Sequence, residues 1–233
     1  MGYLARAFEY YKGEPHQREA VAKLEGMVDP QTIEAFRRVF SPVPSKASIL
    51  QVPFFSQLDN LRMAHRTCNP SSCAMCLEYF NPGAIESDDD LVEEFIRRGV
   101  DVTNHQQMTI ILRSFGLQSV FRYDLTKAGL LSELECKRPV VMGILHRGPA
   151  TMPRGGHMVV AVGYDDASDE LVVHDPYGSL LSGYAGPAVE GRFVRYPWAE
   201  ISPRWLVEGP SSGWGRVFLN HQKETPHGHH RAA

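Results

Sequence analysis

The stretch that most constrains this sequence lies in its second half. The apolar run Met158-Val159-Val160-Ala161-Val162-Gly163-Tyr164 is followed by a short polar break, Asp165-Asp166-Ala167-Ser168-Asp169, and then by a second β-prone segment, Glu170–Asp175. Two such segments joined by so short a turn pair as an antiparallel hairpin. His157 opens the first segment and His174-Asp175-Pro176 closes the second. If Tyr164 lies across from Ser168, His157 lies across from Asp175, and directly opposed residues of an antiparallel pair point to one face. His174 then alternates to the other face. A slip of one residue exchanges Asp175 for His174 or Pro176. Asp175 also has a plainer reading, as the residue that starts the turn Asp175-Pro176-Tyr177-Gly178.

The rest of the chain supplies mainly helices before this hairpin and strands around it. Asn69–Phe80 reads as a helix with Pro70 in its first turn. A second helix opens at Ser87-Asp88-Asp89-Asp90 and ends at Arg97-Arg98-Gly99, with bases in the last turn and glycine beyond. Asn104–Phe115 and Lys127–Cys136 are further helices; Ile49–Phe55, Gln118–Tyr123, Pro139–Leu145, Gly191–Tyr196 and Val217–Asn220 are strand candidates. Helices first and strands later predict an α+β domain, not an alternating α/β one. Residues 1–45 differ in texture. Val21, Leu24 and Met27, then Ile33, Phe36 and Val39, recur at helical spacing, and Ser41-Pro42-Val43-Pro44-Ser45 reads as a linker. The expected organisation is a small helical N-terminal extension over 1–45, a main domain over 46–220 and a polar, His-containing, disordered tail over 221–233.

Composition removes several classes of function. Hydrophobic residues make up 43% of the 233, enough for a core. With 24 basic and 27 acidic residues the formal charge is −3, so no single-sign field points to nucleic acid or to an anionic membrane. No apolar run approaches the roughly 18 residues of a membrane helix. Met1-Gly2-Tyr3-Leu4-Ala5-Arg6 lacks the apolar core of a signal peptide. Synthesis in the cytoplasm is expected, with action outside only after lysis or carriage by a virion.

Four cysteines are too few for a disulfide scaffold. Cys68, Cys73, Cys76 and the distant Cys136 do spell C-x4-C-x2-C…C, the spacing of a plant-type two-iron cluster. An iron–sulfur or zinc protein is therefore a reading of another class. Against it, Cys73 and Cys76 sit inside a segment of helical composition and share one face with Phe80, as small core residues do. Cys68 stands at the start of that helix, where the dipole favours a thiolate. It is either a nucleophile awaiting a histidine or a half-buried free thiol. Of ten histidines, only His146, His157 and His174 lie among apolar or strand-like surroundings, and His157 ends a buried strand at the sheet's edge. Asp88-Asp89-Asp90 has the look of a cation site, but a serine cap followed by acids in the first helical turn accounts for it without a metal.

Four motifs occur in order: Val52-Pro53-Phe54-Phe55-Ser56-Gln57, Thr67-Cys68-Asn69-Pro70-Ser71-Ser72-Cys73-Ala74-Met75, Gly155-Gly156-His157 with its apolar run to Asp165, and His174-Asp175-Pro176-Tyr177-Gly178. Over about Gln51 to Trp205 the chain resembles the papain-like cysteine peptidases related to bacteriocin leader-processing enzymes, including bacterial and phage variants. The resemblance implies a papain-like fold with helices packed on an antiparallel sheet. It implies Cys68 as nucleophile, His157 as general base and acid, Asp175 as the group that orients the imidazole, and Gln57 as an oxyanion donor beside the Cys68 backbone N–H. It implies no cofactor and no metal, and a peptide substrate, including the peptide cross-links of peptidoglycan. The same residues serve an amidase, isopeptidase or acyl transferase, since they determine acyl chemistry but not the acceptor. A binding module that kept the fold without the chemistry is a further alternative. Pro149–Gly156 reads as a loop whose glycines admit a substrate backbone.

Overall fold

The computed structural model describes residues 49–219. The helical extension expected over 1–45 and the expected tail over 221–233 lie outside the described residues. Among the described residues three helices come first: α1 (Cys68–Phe80), α2 (Asp89–Arg97) and α3 (His105–Ser114). They are followed by β1 (Ser119–Leu125), α4 (Lys127–Glu135), β2 (Val140–Arg147), β3 (Arg154–Asp165), β4 (Glu170–His174), β5 (Val194–Pro197), α5 (Trp198–Trp205) and β6 (Gly213–Phe218). The strands form one sheet in the order β1-β6-β2-β3-β4-β5, antiparallel throughout. This is the α+β architecture expected from the residues, with N-terminal helices against a multistranded antiparallel sheet. Among the described residues no helix is long and apolar enough to cross a membrane.

Local chemistry sets the helix starts. Asn104 and Thr126 cap α3 and α4 by accepting from the N–H groups of Gln107 and Gly129. Helix α1 is buried from Asn69 through Leu77, so it behaves as a core element and not as an amphipathic cover. The Ser72 hydroxyl donates to Met158 O at 3.0 Å and the Asn69 amide to Val102 O at 2.8 Å, which ties α1 to β3 and to the loop before α3. Strands β2 and β3 are buried over consecutive residues, so both faces of the central sheet are covered. Each Val, Ile or Met buried there contributes roughly 2 kcal/mol by leaving water.

Several expected elements differ in the structure. Ile49–Phe55 is extended but is not a strand. Its ladder-like bond is Leu50 N–H to Val162 O, at 2.8 Å. Strand β3 begins at Arg154, so Gly155 and Gly156 belong to a strand and not to the expected substrate loop. Strand β6 starts earlier than Val217 because glycines, poor strand formers, are required there. A Cβ on Gly213 would lie 2.5 Å from the Trp205 ring, and one on Gly215 would lie 2.5 Å from Val141 O. Helix α5 was hidden by Pro203, which the last turn accommodates.

The register of the β3–β4 hairpin is the decisive local feature. Next to the turn Asp165 faces Glu170 and Gly163 faces Val172, but beyond it Ala161 faces Val173 and Val160 faces His174. Val162 is therefore an extra residue, a β-bulge. The expected opposition of His157 and Asp175 does not occur, because the ladder between β3 and β4 ends where Val160 faces His174, three residues short of His157. Yet the two side chains share a face. Without the bulge, alternation would turn His174 towards the His157 side; with it, Asp175 takes that side and His174 the other. The carbonyl of Val162, freed by the bulge, accepts from Leu50. On the far face the His174 ring is held between Val52 O, 2.9 Å from Nε2, and the Phe193 N–H, 3.0 Å from Nδ1. Burial pushes its pKa down to about 4, so it serves as a neutral brace. From there the 49–57 segment passes round the end of β4, where Gln57 N–H bonds Pro176 O at 2.9 Å.

Asp175 is held from outside the sheet as well. Its N–H donates to Gly191 O at 2.9 Å, and a Cβ on Gly191 would sit 2.0 Å from Asp175 O. Gly191→Ala is therefore expected to cost about 1–3 kcal/mol through overpacking. A urea titration with unchanged slope and a lowered midpoint checks this. An unchanged midpoint would mean that residues 188–193 yield without cost.

Candidate active site

Four elements meet at one end of the sheet: the first residue of α1, the start of the buried part of β3, the end of β4, and the segment carrying Gln57. Cys68 is partly exposed there, while His157 and Asp175 are 4% and 0% exposed. His157 Nε2 lies 2.7 Å from Asp175 Oδ1, and the Cys68 thiol feels the same imidazole, which lowers its pKa. The imidazole thus acts on both sulfur and carboxylate.

Burial opposes charge on both partners. For Cys68 it is outweighed by the hydrogen bond and positive charge of His157 and by backbone groups of Met158 and Asn69, so the thiol is held below the usual cysteine range. For His157 burial is outweighed by the charge and hydrogen bond of Asp175 and by Cys68, and its pKa rises to about 10. A thiolate–imidazolium pair is the state both shifts favour. The other helical cysteines are the reverse. Burial lifts Cys73 to about 11 and Cys76 well above the ordinary value. Cys136 is exposed, and among the described residues no three His, Cys, Asp or Glu side chains converge as metal ligands. The C-x4-C-x2-C…C spacing therefore does not become a ligand set.

A profile of the Peptidase_C39 like family matches residues 49–203. The chain belongs to the Peptidase_C39 like family. Comparison with curated proteins gives no match. Seven chains of solved structures match this Peptidase_C39 like chain in fold. One is a crystal structure assigned as a C39-like peptidase from Bacillus anthracis, with TM-score 0.53 and 16% identity, over 76% of this chain and 98% of that one.

Within this Peptidase_C39 like domain, the residues around Asp175 were not visible in the sequence. Tyr196 OH donates to Asp175 Oδ2 at 2.9 Å, Tyr184 OH to the same oxygen at 3.3 Å, and Tyr177 N–H to Oδ1 at 3.0 Å. Tyr196 is an inward residue of β5 opposite Leu171, so strand alternation marks it as buried; nothing marks its hydroxyl as a partner of Asp175. Tyr184 carries no sequence signal. It sits at φ 62°, a left-handed conformation that costs a non-glycine residue roughly 1–2 kcal/mol and that here delivers its phenol to the carboxylate. The rings of Tyr177 and Tyr184 stand edge-on to His157 at 6.1 and 6.0 Å and screen the His157–Asp175 bond.

The remaining candidates fall as follows. His146 lies beside His157, ring centres 4.9 Å apart, and burial together with the His157 charge pushes it down to about 4. Gln57 is buried next to Thr67, whose hydroxyl lies 3.5 Å from Gln57 O. Its side-chain amide donates one hydrogen to Ala64 O at 2.8 Å, and its Oε1 is buried without a hydrogen-bond partner. Asp88 is not the first-turn acid behind a serine cap that the sequence suggests. It occupies the cap position of α2 without a side-chain cap bond and is buried instead.

The thiol shift gives a direct test. Alkylation of Cys68 by iodoacetamide should rise with pH on the acid side of free cysteine, whose pKa is about 8.5. In His157→Ala only backbone groups of Met158 and Asn69 still oppose the burial cost, and the rise should move to higher pH. Peptide-mapped alkylation rates across pH check both; the same midpoint in both proteins would show that His157 does not acidify the thiol.

Proposed function

We propose that this protein is a cysteine peptidase with Cys68 as nucleophile, His157 as proton shuttle and Asp175 as the group that orients the imidazole. The observation that carries the reading is one buried imidazole, hydrogen-bonded to a fully buried carboxylate, that acidifies a partly exposed thiol. Family membership supports it, since the family is one of cysteine-peptidase-like proteins.

The chemistry follows from the geometry. The Cys68 thiolate attacks the carbonyl carbon of a peptide bond, and the carbonyl π electrons move to oxygen. Donors aimed at that oxyanion lower the barrier by about 3–4 kcal/mol each. The Cys68 N–H, unclaimed within α1 because it opens the helix, is one donor, and the second hydrogen of the Gln57 amide is the other. His157 then gives its proton to the leaving nitrogen, the C–N bond breaks and a thioester remains. Neutral His157 takes a proton from water, hydroxide adds to the thioester, and the acid leaves as Cys68 is regenerated. Asp175, anchored by two phenols and a backbone N–H, keeps the ring from rotating away. Peptides, and among them the peptide cross-links of peptidoglycan, are the substrates proposed.

Mass spectrometry of products from a peptide library and from purified peptidoglycan tests the reading. Cys68→Ala should lose all turnover, while Cys73→Ala, whose thiol is buried and protonated, should keep most of it. Full turnover by Cys68→Ala would remove the proposal. Products carrying an added amine in place of hydroxyl would redirect it to acyl transfer.

The active form needs sulfur deprotonated and imidazole protonated. Activity should rise through the lowered Cys68 pKa and fall as pH passes the raised His157 value of about 10. Asp175→Asn removes the charge that holds the imidazolium and should move the alkaline limb to lower pH, with a smaller loss of rate than Cys68→Ala. A pH profile of kcat/KM for both proteins decides it; a stationary alkaline limb would leave Asp175 as a turn residue.

A further inference from the structure

Behind the start of α1 lies a set of buried polar side chains that the proposed chemistry does not use. Asn60 donates both amide hydrogens, to Thr67 Oγ1 at 2.8 Å and to Ser71 Oγ at 3.2 Å. The Thr67 hydroxyl lies 3.2 Å from Ala64 O, the carbonyl that also holds the Gln57 amide at 2.8 Å. Through one hydroxyl and one carbonyl, Asn60 thus reaches both the residue before Cys68 and the proposed oxyanion donor. Gln57, Asn60, Thr67 and Ser71 are all buried, so a bond lost by one of them is not made good by solvent.

Asp88 closes the far end of the set. It is 4% exposed and interacts with Ser71 and Asn60. Two acceptor oxygens are left over there, Asn60 Oδ1 and Asp88 Oδ2, each buried without a hydrogen-bond partner. The charged groups around Asp88 are acids. Asp59 acts on it from the segment before α1, and Asp89 and Asp90 stand beside it on α2, while α1 offers the Ser71 hydroxyl. Asp89 accepts from the Leu61 N–H at 3.0 Å and Asp90 from the Glu86 N–H at 2.7 Å. A spare amide oxygen beside a buried carboxyl with no cation is a group short of one hydrogen, and burying that carboxyl as an anion is costly. Burial and the Asp59 charge act in the same direction and lift the Asp88 pKa to about 6.

We propose that Asp88 is a positioning residue whose proton holds the Gln57–Thr67 side of the candidate site in place, which makes that side sensitive to pH. Protonated, Asp88 supplies the missing hydrogen to Asn60 Oδ1 and accepts from the Ser71 hydroxyl, and Asn60 keeps its hold on Thr67. Ionised, Asp88 draws the Asn60 amide to itself, and Thr67 is released. Cys68 and Gln57 then lose a common support. The link to catalysis rests on the peptidase reading; the retention of the proton does not.

The test compares wild type with Asp88→Asn, whose amide imitates the protonated acid at every pH. Because folding raises this pKa, the stability due to the proton is full below the free carboxylate value of about 3.9 and is lost as pH rises through about 6. The urea midpoint of wild type should therefore fall relative to that of the variant between pH 4 and pH 6 and run parallel to it above. On one peptide substrate the variant-to-wild-type ratio of kcat/KM should be near one at pH 5 and rise severalfold by pH 7.5. If the variant does not fold, the carboxyl carbon-13 shift of Asp88 in wild type should titrate with a midpoint near 6. A difference in urea midpoint that does not change with pH, or an Asp88 titration near the free value, overturns the proposal and leaves the peptidase reading standing. A kcat/KM ratio that stays flat across pH overturns the positioning role. Absence of any cleavage by wild type overturns that role together with the peptidase reading.

Discussion

A fully buried carboxylate is the constraint around which this domain is arranged. An isolated charge as deep as Asp175 would cost many kcal/mol, and it persists only where partners surround it. Those partners come from distant parts of the chain: His157 from β3, Tyr196 from β5, Tyr184 from the excursion between β4 and β5, and the Tyr177 N–H beside it. Satisfying Asp175 therefore brings together the strands and the long β4–β5 connection that surround the candidate site. The charge so retained is what lets a buried imidazole stay protonated, and the protonated imidazole is what lowers the thiol. One desolvated anion sets the ionisation of its two neighbours in turn.

The parts of this fold that were legible in the sequence are those governed by local pattern. The helices from Asn69, Ser87, Asn104 and Lys127 announced themselves through caps, glycines and spacing, and the β3–β4 hairpin through its short polar turn. The pairing of His157 with Asp175 was foreseen through a direct opposition that the structure does not contain. Alternation around the turn and the bulge at Val162 together bring the same faces together by a diagonal route. A bulge inside a run of valines leaves no mark on the residues, because it is decided by what the freed carbonyl can bond, here the N–H of Leu50. Ile49–Phe55 has strand composition but runs as a strap, since its backbone bonds go to a bulge carbonyl and a histidine ring instead of along a neighbouring strand.

Cysteine spacing and acidic clustering show how context reverses a motif. Cys73 and Cys76 share a ligand-like interval with Cys68, yet the same helix carries an acidified thiol at its start and, further along, thiols that burial keeps protonated. Asp88, Asp89 and Asp90 resemble a helix-start cluster, but Asp88 turns inward to Ser71 and Asn60 while its neighbours stay near solvent. In both cases the residue type is constant and its neighbours decide the chemistry: an imidazole beside one cysteine and none beside the others, and deep burial for one aspartate.

The order of the participating residues along the chain has a consequence for biosynthesis. A ribosome releases Cys68 and its helix well before His157, and Tyr196, which steadies Asp175, later still. A nascent segment ending short of β3 contains the sulfur without the imidazole that acidifies it, so its thiol keeps an ordinary, mostly protonated state. The lowered thiol pKa of Cys68 is thus absent from the emerging polypeptide and arises only when the sheet closes over the helix.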